Sequence, residues 1–263
     1  MEETGKHVLD IADFTLFCET LKAVNKISDA AKLTFNEAGM TVYSKKNQYA
    51  RLEVVTNAVS SKTEVSVCIP DLGALIRLLG TAESVYEGEQ PEVKLIVDLP
   101  FFKIESKRFK TKLTSCKEEI IAASVSQKVK TVLTPVFEFA TSTAMIKSIN
   151  AHSFVFQDVD SVRIYLAPDA TMENNVLYAT IGNEANSLNN SVTLKAGLIE
   201  FGSIPIERII LNFDRLNLLN IVPADSIKVA LTDKNVLLVK PELKSKVDGI
   251  YCDMSLYCSI LRQ

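Results

Sequence analysis

Histidine is scarce in this 263-residue chain: His7 and His152 are the only two, and they lie far apart. Metal centres built from His and Cys are therefore poorly supplied. The five cysteines (Cys18, Cys68, Cys116, Cys252 and Cys258) form an odd, widely spaced set without a C-x-x-C pair. That pattern predicts buried, reduced thiols and no disulfide framework. No G-x-x-x-x-G-K-[ST] or G-x-G-x-x-G loop is present to cradle a nucleotide phosphate. G-x-S-x-G and H-E-x-x-H are missing as well. Carboxylate pairs such as Asp158 with Asp160 sit in a hairpin-like stretch, where solvated turn residues are the ordinary explanation. No catalytic constellation emerges, so neither an enzyme nor a cofactor is expected.

Long apolar runs are also missing. None approaches the roughly 20 residues that a membrane span requires. The opening MEETGKHVLD has no apolar signal core. An intracellular, cytoplasmic, soluble protein is the expectation. Charge of one sign is lacking too: 29 basic and 32 acidic residues leave a net charge of -3. This argues against wrapping nucleic acid with the whole surface, yet it leaves room for a local basic site.

What the chain does hold is 47% hydrophobic and 23% charged residues, enough for two ordinary cores. Residues 7–12 read as a strand, followed by a helix over 13–28 with Phe14, Phe17, Cys18, Leu21 and Val24 on one face. Period-two stretches at 32–35, 40–44, 50–57 and 62–69 read as strands. A helix over 71–80 follows, started by Pro70 and Asp71 and stopped by Gly80, then strands at 93–99, 101–106 and 109–114. Residues 115–134 keep no clean period and read as a connector.

After Pro135 the order repeats. A strand at 136–140 precedes a helix over 142–151, and strands follow at 153–157, 162–167, 176–181, 192–197 and 198–201. A strand at 209–213 leads to a helix over 214–222, then strands at 227–231, 236–239 and 249–257. Two similar α+β domains with antiparallel sheets follow from this repeat, each with two helices on one sheet face. Their expected bounds are 1–116 and 135–263, joined by a connector over 117–134.

Within the four helices, apart from the capping acids Asp13, Asp71 and Asp214, the charges are Lys22, Lys26, Arg77, Lys147 and Arg215 against Glu19. Solvated faces of amphipathic helices account for any one of them. As a set, repeated in both halves of a slightly acidic chain, they suggest a shared positive surface. The run KIESKRFKTK, Lys103–Lys112, crowds further lysines and Arg108 around Phe109. A lysine-guarded outer strand edge and an aromatic nucleic-acid face both fit it.

The segments FCETLKAVNKI, FNEAGMTVYS, VCIPDLGALIRLLG, IILNFDRLNLLNIVPADSIKVAL and DGIYCDMSLYCSIL, in this order and spacing, resemble a DNA polymerase sliding clamp of the two-domain type. That type is similar to proliferating cell nuclear antigen and to the clamps of tailed phages. The resemblance implies a homotrimeric ring with the sheets outside and the helices lining a hole through which duplex DNA passes. It places Lys22, Lys26, Arg77, Lys147 and Arg215 on the DNA-facing helices. It further implies a clamp loader, a tethered DNA polymerase, and a partner-peptide pocket involving Met40, Val42, Val132, Leu133, Leu256, Ile260 and Leu261. Ordinary core packing is the competing explanation for each of those seven. No acidic tail follows the last strand and the connector lacks an acidic run, departures that favour a phage or other viral clamp acting in its host cell. A clamp-like accessory subunit that does not encircle DNA, and a structural or assembly protein without a DNA role, are the alternatives.

Overall fold

A computed structural model describes residues 5–84, 93–107, 109–153, 162–168, 175–183, 191–203 and 208–261. Two compact units divide the chain: Met1–Val129 with Leu243–Met254, and Lys130–Glu242 with Ser255–Gln263. The units are interleaved, whereas the sequence repeat suggests consecutive domains. The first takes in most of the connector and a segment from near the end of the chain.

The first unit begins with β1 (His7–Ile11) and α1 (Phe14–Ile27). Asp13 starts the helix: its backbone is extended (φ −144°, ψ 103°) and its carboxylate accepts the Leu16 N–H at 2.9 Å, satisfying a donor the first turn would leave orphaned. Phe14, Phe17, Leu21 and Val24 are buried along one side of α1. Burial of each such side chain contributes roughly 1.5–3 kcal/mol. Strands β2 (Ala31–Asn36), β3 (Gly39–Lys46), β4 (Ala50–Thr56), β5 (Val59–Ser60) and β6 (Val65–Ile69) follow. The strand expected over 62–69 is thus shorter, and β5 precedes it.

Gly39 turns the β2–β3 hairpin at φ +132°, and a Cβ there would lie 2.1 Å from the Thr56 carbonyl oxygen. Only glycine fits. Helix α2 (Leu72–Ser84) opens with Asp71 accepting the Ala74 N–H at 2.7 Å and runs a turn past Gly80. β7 (Lys94–Asp98), β8 (Phe101–Glu105) and β9 (Lys110–Thr114) complete a sheet of order β5–β1–β7–β8–β9. Strands β4, β3, β2 and β6 lie side by side in that order. Helix α1 packs on β3 and β4 and beside α2.

The expected connector carries a 3-10 turn, Glu118–Ile121, and then lies along β3. Lys45 donates its N–H to the Ser124 carbonyl at 3.0 Å, and Ser126 donates to Tyr43 at 3.2 Å.

The second unit contains β10 (Pro135–Thr141), α3 (Thr143–Ser153), β11 (Val162–Pro168), β12 (Val176–Asn183), β13 (Val192–Gly202) and β14 (Ile209–Leu211). Then come α4 (Phe213–Leu219), β15 (Ile227–Thr232) and β16 (Val236–Pro241). β17 (Leu243–Lys244) was not expected, and β18 (Tyr251–Ser259) is shared between the units. Its first residues pair with β17, its last with β16. All strand pairs with a defined register are antiparallel, as expected of an α+β chain.

Asn212 caps α4 in place of the expected Asp214, because its side chain accepts the Arg215 N–H at 3.1 Å; Asp214 lies in the first turn. The two strands expected at 192–197 and 198–201 are one, β13, with a register shift where it meets β10. Of the strand expected at 153–157, Ser153 ends α3 and the remainder lies outside the described residues, as do Asp158 and Asp160. Helix α3 packs on β12 and β13, α4 on β11 and β14, and the two helices touch each other.

Candidate nucleic-acid interface

Each unit turns one face of its helix pair to the sheet and the other to solvent. In α1 the solvent stripe is Thr15, Glu19, Lys22 and Lys26, spaced three or four residues apart. Lys22 is exposed and pairs with Glu19 at 2.7 Å. Lys26 sits in the last turn, where a cation complements the carbonyl end of the helix. Its tip reaches solvent, yet the protein around its stem lowers the ammonium pKa by desolvation, and Glu19 pulls it back up.

On α2 the stripe is sparser: Arg77 lies between Gly73 and Gly80. The Arg77 side chain is 75% exposed, with a guanidinium nitrogen 4.0 Å from Asp71. A pair this exposed is worth about 0–1 kcal/mol, which leaves the guanidinium available to an external anion. Arg77 is therefore not there to stabilise the fold. Among the residues of α2 whose exposure is described, it is the single charge.

In the second unit, α3 exposes Ala144, Lys147, Ser148, Ala151 and His152. The His152 ring lies 2.8 Å from the Ser148 carbonyl through Nδ1. Asn150 donates its side-chain N–H to the Asn217 amide oxygen at 2.7 Å, bridging α3 and α4 on their solvent side. Arg215 is placed differently from the other four cations. It is half-buried, and its Nε donates to the Ser259 carbonyl at 2.7 Å, tying α4 to the end of β18. Four of the five expected cations stand on solvent faces; the fifth holds the closing strand.

The seven residues expected in a partner pocket separate by burial. Met40 and Val42, in the first unit, are fully buried and belong to its core. Leu256, in the second, is buried as well. Their inward position follows from the strand period: Met40, Val42 and Ser44 alternate with the less buried Thr41 and Tyr43. Val132 is 83% exposed, and Leu133, Ile260 and Leu261 are half-buried. Leu261 is held by its N–H to the Ile210 carbonyl at 2.9 Å.

The lysine-rich run resolves into β8 and the edge strand β9. Lys103 pairs with Asp98, Lys110 lies 4.0 Å from Glu105, and the Lys112 ammonium sits 4.3 Å from the centre of the Phe101 ring. Lysines along a sheet margin discourage unwanted strand addition. Arg108 lies outside the described residues. Sequence reasoning missed the Asn150–Asn217 bridge and His152; only the helical spacing of Lys147, Asn150 and Ala151 hinted at a shared face.

No family model matches this sequence, and no curated protein matches it. Solved structures do match in fold. The proliferating cell nuclear antigen (PCNA) of A. fulgidus, solved with the C-terminal region of FEN-1, is 13% identical, with a TM-score of 0.69 over 98% of this chain and 99% of the other. PCNA from Entamoeba histolytica is 14% identical, with a TM-score of 0.69 over 98% and 99%. A PCNA2–PCNA3 complex from Sulfolobus tokodaii is 15% identical, with a TM-score of 0.62 over 97% and 99%. The chain therefore has the two-domain PCNA clamp fold over nearly its whole length.

Proposed function

We propose that this chain is the subunit of a DNA sliding clamp: copies join head to tail into a trimeric ring around duplex DNA and tether a replicative polymerase. The full-length fold likeness to PCNA carries this reading. The helix faces support it. Lys22, Lys26, Arg77 and Lys147 are exposed, few and well separated, so they would meet phosphates and read no base edge. Sparse charge suits a closed ring, which stays on DNA by topology and must move along it. Each added phosphate contact would strengthen salt-sensitive affinity and slow that motion.

Assembly has a candidate seam. β9 is the last strand of its sheet, and residues 193–195 of β13 pair with β12 alone among the described residues. In the chain's own repeat, β9 and β18 each close one half, and β4 and β13 hold equivalent places. The neighbouring places of β4 and β18 in the strand order are thus a pattern for β9 of one copy meeting β13 of the next. The relative bound to the C-terminal region of FEN-1 supports capture of partner segments, with Val132, Leu133, Ile260 and Leu261 offering the accessible apolar atoms. An ATP-driven loader would open the ring, and a viral or phage replication system is the expected setting.

Mass in solution, together with retention on nicked circular and linearised DNA in the presence of a loader, tests the reading. A trimer held on circles and released on linearisation supports it. A monomer retained equally on both favours an open, non-encircling accessory subunit. Absence from DNA in every condition leaves a structural protein.

A further inference from the structure

Outside the helix faces, two thiols meet where the connector leaves the first unit's last sheet. Cys68 is on β6, and Cys116 lies just after β9. Cys116 donates its N–H to the Cys68 carbonyl at 3.0 Å, and its Sγ lies 3.8 Å from that same oxygen. A backbone bond of this kind holds two Cα atoms about 5 Å apart, within the separation that disulfides bridge.

The surroundings bring the side chains to one side of the sheet. On β6, Val65, Val67 and Ile69 face the core, which puts Cys68 on the opposite face. There Cys68 packs with Ala30 and Ile121, and Cys116 and Val125 lie against the same cluster. Lys32 and Glu118 bridge its margin at 2.7 Å. Elsewhere, Cys258 contacts its own strand at Ser259, and Cys252 lies 3.5 Å from the Thr20 hydroxyl.

We infer that Cys68 and Cys116 form a modification site, a dithiol that a low-molecular-weight disulfide such as oxidised glutathione converts to an intramolecular disulfide, stapling the connector to β6. Cys116 reacts first because it is half-exposed and Cys68 is buried. Its thiolate attacks one sulfur of the oxidant, forming a mixed disulfide and expelling one glutathione thiolate. The Cys68 thiolate then attacks the Cys116 sulfur and expels the second. The two thiol protons pass through solvent to the two departing thiolates. The protein is oxidised by two electrons, and one oxidised glutathione becomes two reduced molecules. Burial raises the pKa of both thiols, and the neighbouring Cys116 raises that of Cys68 further. Both thiols are thus mostly protonated at neutral pH, so attack on the oxidant is slow and quickens as pH rises.

The test treats the full chain with oxidised glutathione, blocks the remaining thiols and maps the peptides. The expected product links Cys68 to Cys116, consumes two of the five thiols and reverts with dithiothreitol. Oxidation should also slow hydrogen exchange at the amides of residues 117–126. Cys68→Ser should trap glutathione on Cys116, and Cys116→Ser should leave Cys68 unmodified. Both variants carry small substitutions outside the main core, and circular dichroism verifies that they fold. Glutathione remaining on Cys116 in the unsubstituted chain, or a link through another cysteine pair, would overturn the inference.

Discussion

Arg215 and Ser259 are joined by a 2.7 Å bond from the guanidinium Nε to the backbone carbonyl, across 44 residues of sequence. The charge nearest the middle of α4 thus faces inward and anchors the last strand. Cys258, the neighbour of Ser259, is fully buried at the same place.

Replacing Arg215 with Ala should destabilise the chain by about 1.5–3 kcal/mol, the scale of a hydrogen bond to a charged group, because the Ser259 carbonyl loses its charged donor. Arg77→Ala should stay within about 0.5 kcal/mol, since that side chain is on the surface. Urea unfolding of both variants separates them. Equal midpoints would mean that Arg215 holds nothing.

Stability should fall in alkali through Cys258. Burial pushes its thiol up to about 11 from an ordinary 9.0, with Arg215 pulling the other way. The folded chain keeps this proton where the unfolded chain has released it. The contribution is therefore complete below pH 9 and lost as pH climbs toward 11. Two units correspond to about 2–3 kcal/mol. Cys258→Ala should flatten the fall in melting temperature between pH 9 and 11; an unchanged profile in that variant would refute the assignment.

Asp13 does two jobs while buried: it accepts the Leu16 N–H and, at 2.6 Å, the Ser245 hydroxyl. Asp13→Ala should cost about 1–3 kcal/mol through removal of the cap and the stranded hydroxyl. Ser245→Ala should cost less, because the cap survives. Thermal melts of the two single variants and the double variant measure the coupling; purely additive effects would deny it.

Replacing Lys22, Lys26, Arg77 and Lys147 together with Ala should weaken the dependence of DNA binding on salt. The log–log slope should shrink by about 0.9 for each phosphate that is no longer neutralised. Subunit assembly should be unaffected. A slope that does not move would take these helix faces off the DNA.

The helices and most strands were legible in the sequence because each is written locally. Phe14, Phe17, Leu21 and Val24 recur at helical spacing, and Asp13 and Asp71 mark starts by chemistry that acts within one turn. The fate of Arg215 was not legible. Its partner is far along the chain, and no local period distinguishes an arginine facing solvent from one reaching a distant carbonyl. The same holds for Asn150 with Asn217 and for Asp13 with Ser245, which are 67 and 232 residues apart. Met40 and Val42 illustrate the converse case. Their alternation with Thr41 and Tyr43 already marked an inward face, and burial in the first unit follows from it.

β18 gives Tyr251–Met254 to one unit and Ser255–Ser259 to the other. During synthesis, then, neither half can finish folding until this strand has left the ribosome. A single protease cut ahead of Tyr251 would deprive both halves at once of the same closing ribbon. Through that ribbon, damage to one half of the duplication becomes damage to the other.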